Sequence, residues 1–404
     1  MYKEMDFFRI SRRSLDVSLR DILRERMHEN GISEHALADA LGIDRRALNR
    51  FVNEGADLKF SQAILLMRFL HMDEGAFINA YEESLPTCEN SEMETAKSLS
   101  YIMDRFEIPA LKKVGIIGKR SPLDSYEKQI MSFFGFEQSI YEYDTFIRHP
   151  ALFSRSRRPI EQVKAQKMQE FWLKCALFSF ERINNPYEYD RGMLEEFMKK
   201  IHEYTEDVKY GYEKVVMVLF RLGITVLTQP YLEKTGAFGV TMIIDGKPCI
   251  VITDMQKNYH KLWISLIHEL YHVLNDYDLL VSASFHITSE NEPDLLFNEQ
   301  KANSFALQVL VPQDVIDRLG NVVMFDSKME LLSHQLNVDI SILYGVYLEN
   351  LPAEKQSGGY KCYSRYLKKT SEVSRTIFFN PFEKQNIQES VAEIKEALYN
   401  IRIA

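Results

Sequence analysis

Apolar positions recur at helical spacing through most of this chain, and the places where that period changes organise it. In "ISEHALADALGI", Ser33 is a cap residue ahead of Leu37, Ala38 and Leu41, and Gly42 ends the run. "DRRALNRFVNEG" predicts a second helix from Asp44 to about Gly55, and "FSQAILLMRFLHM" a third capped by Ser61. Further on, "IEQVKAQKMQEFWLKCALFSFERI" and "GMLEEFMKKIHEYT" are helical. The period then shortens. "VVMVLFRLGITVLTQPYL" passes from helix to strand, and "FGVTMIIDGKPCIVIT" predicts a hairpin turning at Asp245-Gly246. Helical spacing returns in "NYHKLWISLIHELYHVLND", in "LFNEQKANSFALQVLVP" up to Pro312, in "KMELLSHQLNVDISILYGVYLEN" and in "NIQESVAEIKEALYNI". The expected fold is mainly α with a small β-sheet, in the α+β class.

Residues 18–82 form a first helical domain. Residues 83–159 connect it to the rest, with a polar, loop-like "LPTCENSEMET", one amphipathic helix in "EKQIMSFFGF", and a basic, proline-bounded "RHPALFSRSRRP" as the boundary. Phe133 to Phe136 are expected in a core, as are Trp172 and Trp263, and Arg155 to Arg158 in a solvated linker. Residues 160–352 form a second domain. Residues 353–404 follow, with "KQSGGYKCYSRYLKK" expected as loop and strand and no motif that assigns a role.

Composition narrows the function classes. With 404 residues, 46% hydrophobic, 26% charged and a formal net charge of -9, the chain suits two or three soluble domains and not a general coating of nucleic acid or membrane. Cys88, Cys175, Cys249 and Cys362 are far apart, which excludes a C-x-x-C metal knuckle and predicts isolated thiols. No apolar run is long enough to span a membrane and the first residues lack a secretory pattern, so a cytoplasmic protein without a membrane partner is expected.

"SLIHELYHVLND" carries the candidate chemistry. His268 and His272 stand at i and i+4, one turn apart on the same helix face. Both imidazoles can thus reach one ion at about 2.0–2.1 Å. Glu269 is rotated off that face and is placed to act as a general base on water, whose pKa zinc lowers to roughly 7. The flanking Leu262, Ile264, Leu266, Ile267, Leu270, Val273 and Leu274 bury this helix, and buried imidazoles need partners. Glu299 is the first choice for a third ligand, with His286, Asp276 and Asp278 as alternatives. Asn303, at i+4 from Glu299, can orient a ligating imidazole or the Glu299 carboxylate. His286, Tyr271 and Tyr277 are candidate donors to a transition-state oxyanion.

"HELYH", then "ExxANxFA" at Glu299, Ala302, Asn303, Phe305 and Ala306, then "VLVP", resembles the ImmA/IrrE family of zinc metallopeptidases, as does the preceding "GVTMIIDGKPCIVIT". The resemblance covers about residues 160–350. It implies a gluzincin-like domain, zinc held by His268, His272 and Glu299, Glu269 as catalytic base, and a regulatory protein as substrate, a DNA-binding repressor or the chain itself. An extended substrate would pair with one strand of the 238–253 hairpin.

The first domain suggests a use. Two helices joined at Gly42 have helix-turn-helix form, and the second presents Arg45, Arg46, Asn49 and Arg50, residue types that suit base edges and phosphates of double-stranded DNA. "ALADALGIDRRALNRFVNEG" resembles XRE-type repressor domains over about residues 18–82. Asp39, Asp44, Glu54 and Asp57 dilute the basic character, so a protein-binding or dimerising role competes with DNA binding, and a homodimer fits either. The alternative overall is a DNA-binding regulator or antitoxin-like protein whose metal is structural or sensory, without proteolysis.

Overall fold

The computed structural model describes residues 18–84, 87–145, 160–233, 235–253, 257–283, 285–289, 297–384 and 386–399. It divides into two compact units, Met1–Tyr101 and Ile102–Ala404. The basic segment 148–159, with Arg155 to Arg158, lies outside the described residues.

The first unit is helical: Leu19–Glu29, Glu34–Leu41, Arg45–Asn49, Phe60–Leu70 and Glu74–Glu82. Ser18, Ser33, Asp44 and Asp73 each accept an amide N–H of the first turn that follows, satisfying donors a helix start leaves open. Gly42 takes the left-handed conformation (φ 65°) and ends the second helix. Leu23, Leu37, Leu48, Phe51, Leu66 and Phe77 form the core. Two local expectations change. The helix from Arg45 winds wider after Asn49, with Arg50–Glu54 as a π turn. The third helix starts at Phe60 and not at a Ser61 cap; Gln62 closes it by accepting the Lys59 amide.

The second unit is built around one four-stranded sheet: β1 Thr225–Gln229, β2 Ala237–Ile244, β3 Lys247–Thr253 and β4 Phe285–Ser289. The order is β1-β3-β2-β4, with β1 parallel to β3 and the other pairs antiparallel. The β2–β3 hairpin turns at Asp245-Gly246, both at positive φ (49° and 80°), as the dipeptide predicts. The mainly helical fold with a small sheet is as expected.

The helix Tyr259–Asn275 crosses β2 and β3 and buries Trp263, Leu266, Ile267 and Leu270 completely, each worth roughly 1.5–3 kcal/mol. The helix Glu299–Leu310 lies along it. Phe133, Phe134, Phe136 and Trp172 are buried, in line with the core expected of them. No described helix is long and apolar enough to cross a membrane. Cys175, Cys249 and Cys362 are free thiols.

Residues beyond 353 complete this unit. Phe378 bridges Thr228 in β1, with the Phe379 amide donating to the Thr228 carbonyl at 2.9 Å, and the Tyr399 hydroxyl donates to the Val226 carbonyl at 2.6 Å. Lys395 on the helix Ile387–Ala397 donates to the Arg182 carbonyl of the long helix Ile160–Ile183.

Other differences from expectation have local causes. Within "LPTCENSEMET", the residues from Thr87 on open a 19-residue helix, Thr87–Arg105, and are not a loop; glutamates, Met93 and Lys97 favour helix despite their polarity. "KQSGGYKCYSRYLKK" is mostly the helix Ala353–Tyr363, with no strand. Gly359 allows close packing: a Cβ there would stand 2.7 Å from Leu348 and Leu351 methyls. The "KMELLSHQLNVDISILYGVYLEN" helix is broken by Asn337 at φ 52°, giving Asp326–Leu336 and Ile340–Glu349, the latter capped by Asp339.

Candidate metal centre

His268, Glu269 and His272 sit mid-helix and are 3%, 1% and 0% exposed. Burying polar groups this deeply is costly unless each has a partner, and each has one. His268 Nδ1 meets Asn303 Oδ1 at 2.9 Å, and His272 Nδ1 meets Asp276 Oδ2 at 2.7 Å. With each Nδ1–H given to an oxygen, the neutral rings turn both Nε2 lone pairs toward one point, 3.2 Å apart. Such an arrangement needs a proton or a cation between them.

Glu299, in the first turn of its helix, faces the same point. Its carboxylate oxygens are 3.1 Å from His268 Nε2 and 3.5 Å from His272 Nε2. Ligands at about 2.0–2.1 Å from a tetrahedral zinc stand about 3.3 Å from one another. The three separations therefore match the edges of such a tetrahedron, and the donor set of two imidazoles and a carboxylate suits zinc. These three are also the residues whose ligand atoms converge tightly enough to hold an ion among the described residues.

The local electrostatics favour positive charge here. Burial alone would raise the Glu299 carboxyl, but the facing His268 and His286 imidazoles, 3.1 and 2.8 Å away, outweigh it and hold the group well below the usual carboxylate range. Burial pulls His268 down, yet Glu299 and Glu269 together raise it. His272 goes the other way: burial dominates and lowers it.

The sheet positions the base. The Thr241 hydroxyl on β2 donates to Glu269 Oε2 at 2.6 Å, and the Thr288 hydroxyl on β4 donates to Oε1 at 2.8 Å. In the ladder Gly239 pairs with Thr288 and Thr241 with His286, so alternate residues of both strands bring these groups to the same place. Gly239 leaves room for the carboxylate: a Cβ there would lie 2.2 Å from Glu269 Oε1.

The remaining sequence candidates separate clearly. His286 belongs to the site: it is buried, its Nε2 is 2.8 Å from Glu299 Oε1, and its ring stacks on Phe297 at 4.2 Å. Asn303 orients His268. Asp276 orients His272 instead of joining the ion-facing set, and Asp278 is outside the cluster. Tyr271 packs its ring on Phe305 at 5.4 Å, and its hydroxyl makes no hydrogen bond among the described residues. The Tyr277 hydroxyl donates to the Gly246 carbonyl at the hairpin turn. Sequence reasoning missed Thr241, Thr288 and Gly239, whose roles depend on strand pairing. The orienting role of Asp276 had a signal, its i+4 spacing from His272.

The four N-terminal candidates are exposed, and three are tied to acids. Arg45 forms a two-bond pair with Asp39 at 2.5 and 2.7 Å, Asn49 donates to Glu34 at 2.9 Å, and Arg50 pairs with Glu54 at 3.4 Å. Arg46 has no ion pair among the described residues.

Comparison of the chain with protein-family models, curated proteins and solved structures gives no match. The likeness to ImmA/IrrE peptidases and XRE domains therefore stands on the quoted residues alone.

Proposed function

We propose that this chain is a zinc-dependent endopeptidase with an N-terminal DNA-binding head, acting in the cytoplasm on a regulatory protein. The convergence of His268 Nε2, His272 Nε2 and Glu299 on one point at tetrahedral spacing carries this assignment. Three protein donors among the described residues favour a catalytic centre over a structural one, which takes four. When bound, a zinc ion supplies Lewis-acid chemistry, acidifying water and polarising a peptide carbonyl. His268, His272 and Glu299 would hold it. Asn303 and Asp276 fix the two imidazoles in the tautomer that ligates.

Glu269 takes the proton of the attacking water and returns it to the leaving amine. Thr241 and Thr288 hold its carboxylate by one hydroxyl on each oxygen, leaving further lone pairs for that proton. His286 Nε2 faces Glu299 Oε1 at 2.8 Å.

The sheet order corrects the expected docking strand. β2 and β3 are each flanked on both sides, and β1 carries the Phe378 bridge. β4 is the other outer strand of the sheet, carrying Thr288 and His286, and an extended substrate would lie along it. A DNA-binding repressor, or the chain itself, is the proposed substrate. The head would engage double-stranded DNA through Arg46, with Arg45, Asn49 and Arg50 exchanging their carboxylate partners for phosphates or base edges.

The test is cleavage of candidate repressors encoded nearby, and of the chain itself, by wild type, by wild type with excess chelator, and by Glu269→Gln. Cleavage by wild type alone is expected, with Glu269→Gln slower by about 10²–10⁴-fold. Absence of wild-type cleavage, or equal cleavage by Glu269→Gln, overturns the peptidase assignment.

A further inference from the structure

A second cavity lies in the same unit, and the metal centre does not use it. It encloses about 600 Å3, within the range of small-molecule sites, where the helix Arg191–Met198 and the 3-10 turn Ile201–Glu206 meet the C-terminal parts of the His268 and Glu299 helices. Its floor is apolar, formed by Met198, Leu274, Phe305, Val309 and Leu336. Its rim is polar, with the cations Arg191 and Lys199 and the imidazole of His202 against one carboxylate, Glu195.

We infer that this cavity binds a small organic anion with an apolar body, the body on the floor and the anionic group between Lys199 and His202. The rim has the matching charge to spare. Glu195 is already neutralised by Arg191, with Nε to Oε1 at 3.0 Å. Lys199 pairs with Glu196, which does not line the cavity, and both side chains of that pair are about two-thirds exposed. Such exposed pairs are weak, so an anion in the less polar cavity competes well for the ammonium. The His202 ring is half-buried and makes no hydrogen bond among the described residues. Burial lowers its pKa, and the ring carries an N–H to donate in either protonation state.

An occupant would rest on both helices that carry the metal donors. Leu274 lies two residues beyond His272, and Phe305 two beyond Asn303. The inference requires neither metal nor catalysis, so it can fail or hold independently of the peptidase assignment.

The probe is 8-anilinonaphthalene-1-sulfonate, titrated by fluorescence into the full chain. Its uncharged analogue, N-phenyl-1-naphthylamine, serves for comparison. One saturable sulfonate site per chain is expected. Lys199→Glu, an exposed change that leaves the thermal midpoint in place, should weaken the sulfonate about tenfold and the uncharged analogue little. Leu336→Trp, which fills the cavity, should remove both. Non-saturating fluorescence, unchanged affinity in both variants, or equal sensitivity of the two probes to Lys199→Glu would each overturn the inference. Unchanged affinity would instead place the dye on exposed apolar residues such as Phe60 and Ile64.

Discussion

The His268–His272 helix and the Arg45–Asn49 helix both present polar residues one turn apart, and they differ in what surrounds those residues. In the first, His268, Glu269 and His272 are nearly inaccessible and are fixed by Asn303, Thr241, Thr288 and Glu299 from other elements and by Asp276 at the helix end. In the second, the Arg45 and Arg50 side chains are 53% and 63% exposed, and their partners are surface carboxylates of the same unit. Burial turns a spacing into a geometry, because a buried polar group has few positions in which it is satisfied. On the surface the same spacing leaves the side chains free to exchange partners. The contrast predicts where substitutions act strongly and where they do not.

Among changes that keep the metal donors and the base themselves, the largest effect is expected at Gly239. An alanine there puts a methyl 2.2 Å from Glu269 Oε1, and the carboxylate is too enclosed to move aside at no cost. Gly239→Ala should lower peptide cleavage about 10²-fold, as small misplacements of catalytic groups do, while zinc remains bound. Near-wild-type kinetics would mean that Glu269 is not confined as described.

A smaller effect tests burial without metal. His260 lies on the same helix, completely buried, but its neighbours are Glu349, Tyr360 and Lys261. Burial opposes ionisation of Glu349, yet donors from His260, Lys261 and Tyr360 prevail and hold its carboxyl at about 2, below the usual 4.5. The folded state thus binds fewer protons than the unfolded state between those values. The stabilisation is complete above about pH 4.5 and is lost as pH falls toward 2, to an extent of up to about 3 kcal/mol. Urea unfolding of wild type and Glu349→Gln should therefore converge as the pH drops through this window. A stability difference that is the same at pH 7 and pH 3 would contradict the assignment.

The smallest structural effect belongs to the exposed arginines. The double variant Arg46→Ala/Arg50→Ala should leave the thermal midpoint unchanged. It should reduce the salt dependence of DNA binding by about one unit of slope for each phosphate that is no longer neutralised. DNA binding with the same affinity and slope in the variant would remove these residues from the interface.

The same contrast explains what the chain's pattern made legible. The His268 helix and the Asp245-Gly246 hairpin were readable because each carries its own local signal, period in one and turn chemistry in the other. Glu299 and Asn303 were reachable from spacing on their helix. β4 was not, because "FHITS" is short and gains its strand identity only by pairing with β2. Thr241, Thr288 and Gly239 became visible only with that pairing, and the place of β4 as an outer strand only with the strand order. The helices Thr87–Arg105 and Ala353–Tyr363 were hidden for another reason: polar residues and glycines resemble loop, although the first favour helix and Gly359 in the second allows close packing.

Zinc content of the purified full chain tests the central claim most directly, measured by mass spectrometry after equilibration with zinc and removal of the excess. One zinc per chain is predicted for wild type and for Glu269→Gln, with loss in His268→Ala, His272→Ala and Glu299→Ala variants that keep their helical circular dichroism. Wild type without zinc, or the three folded variants retaining it, would contradict a centre built from these residues.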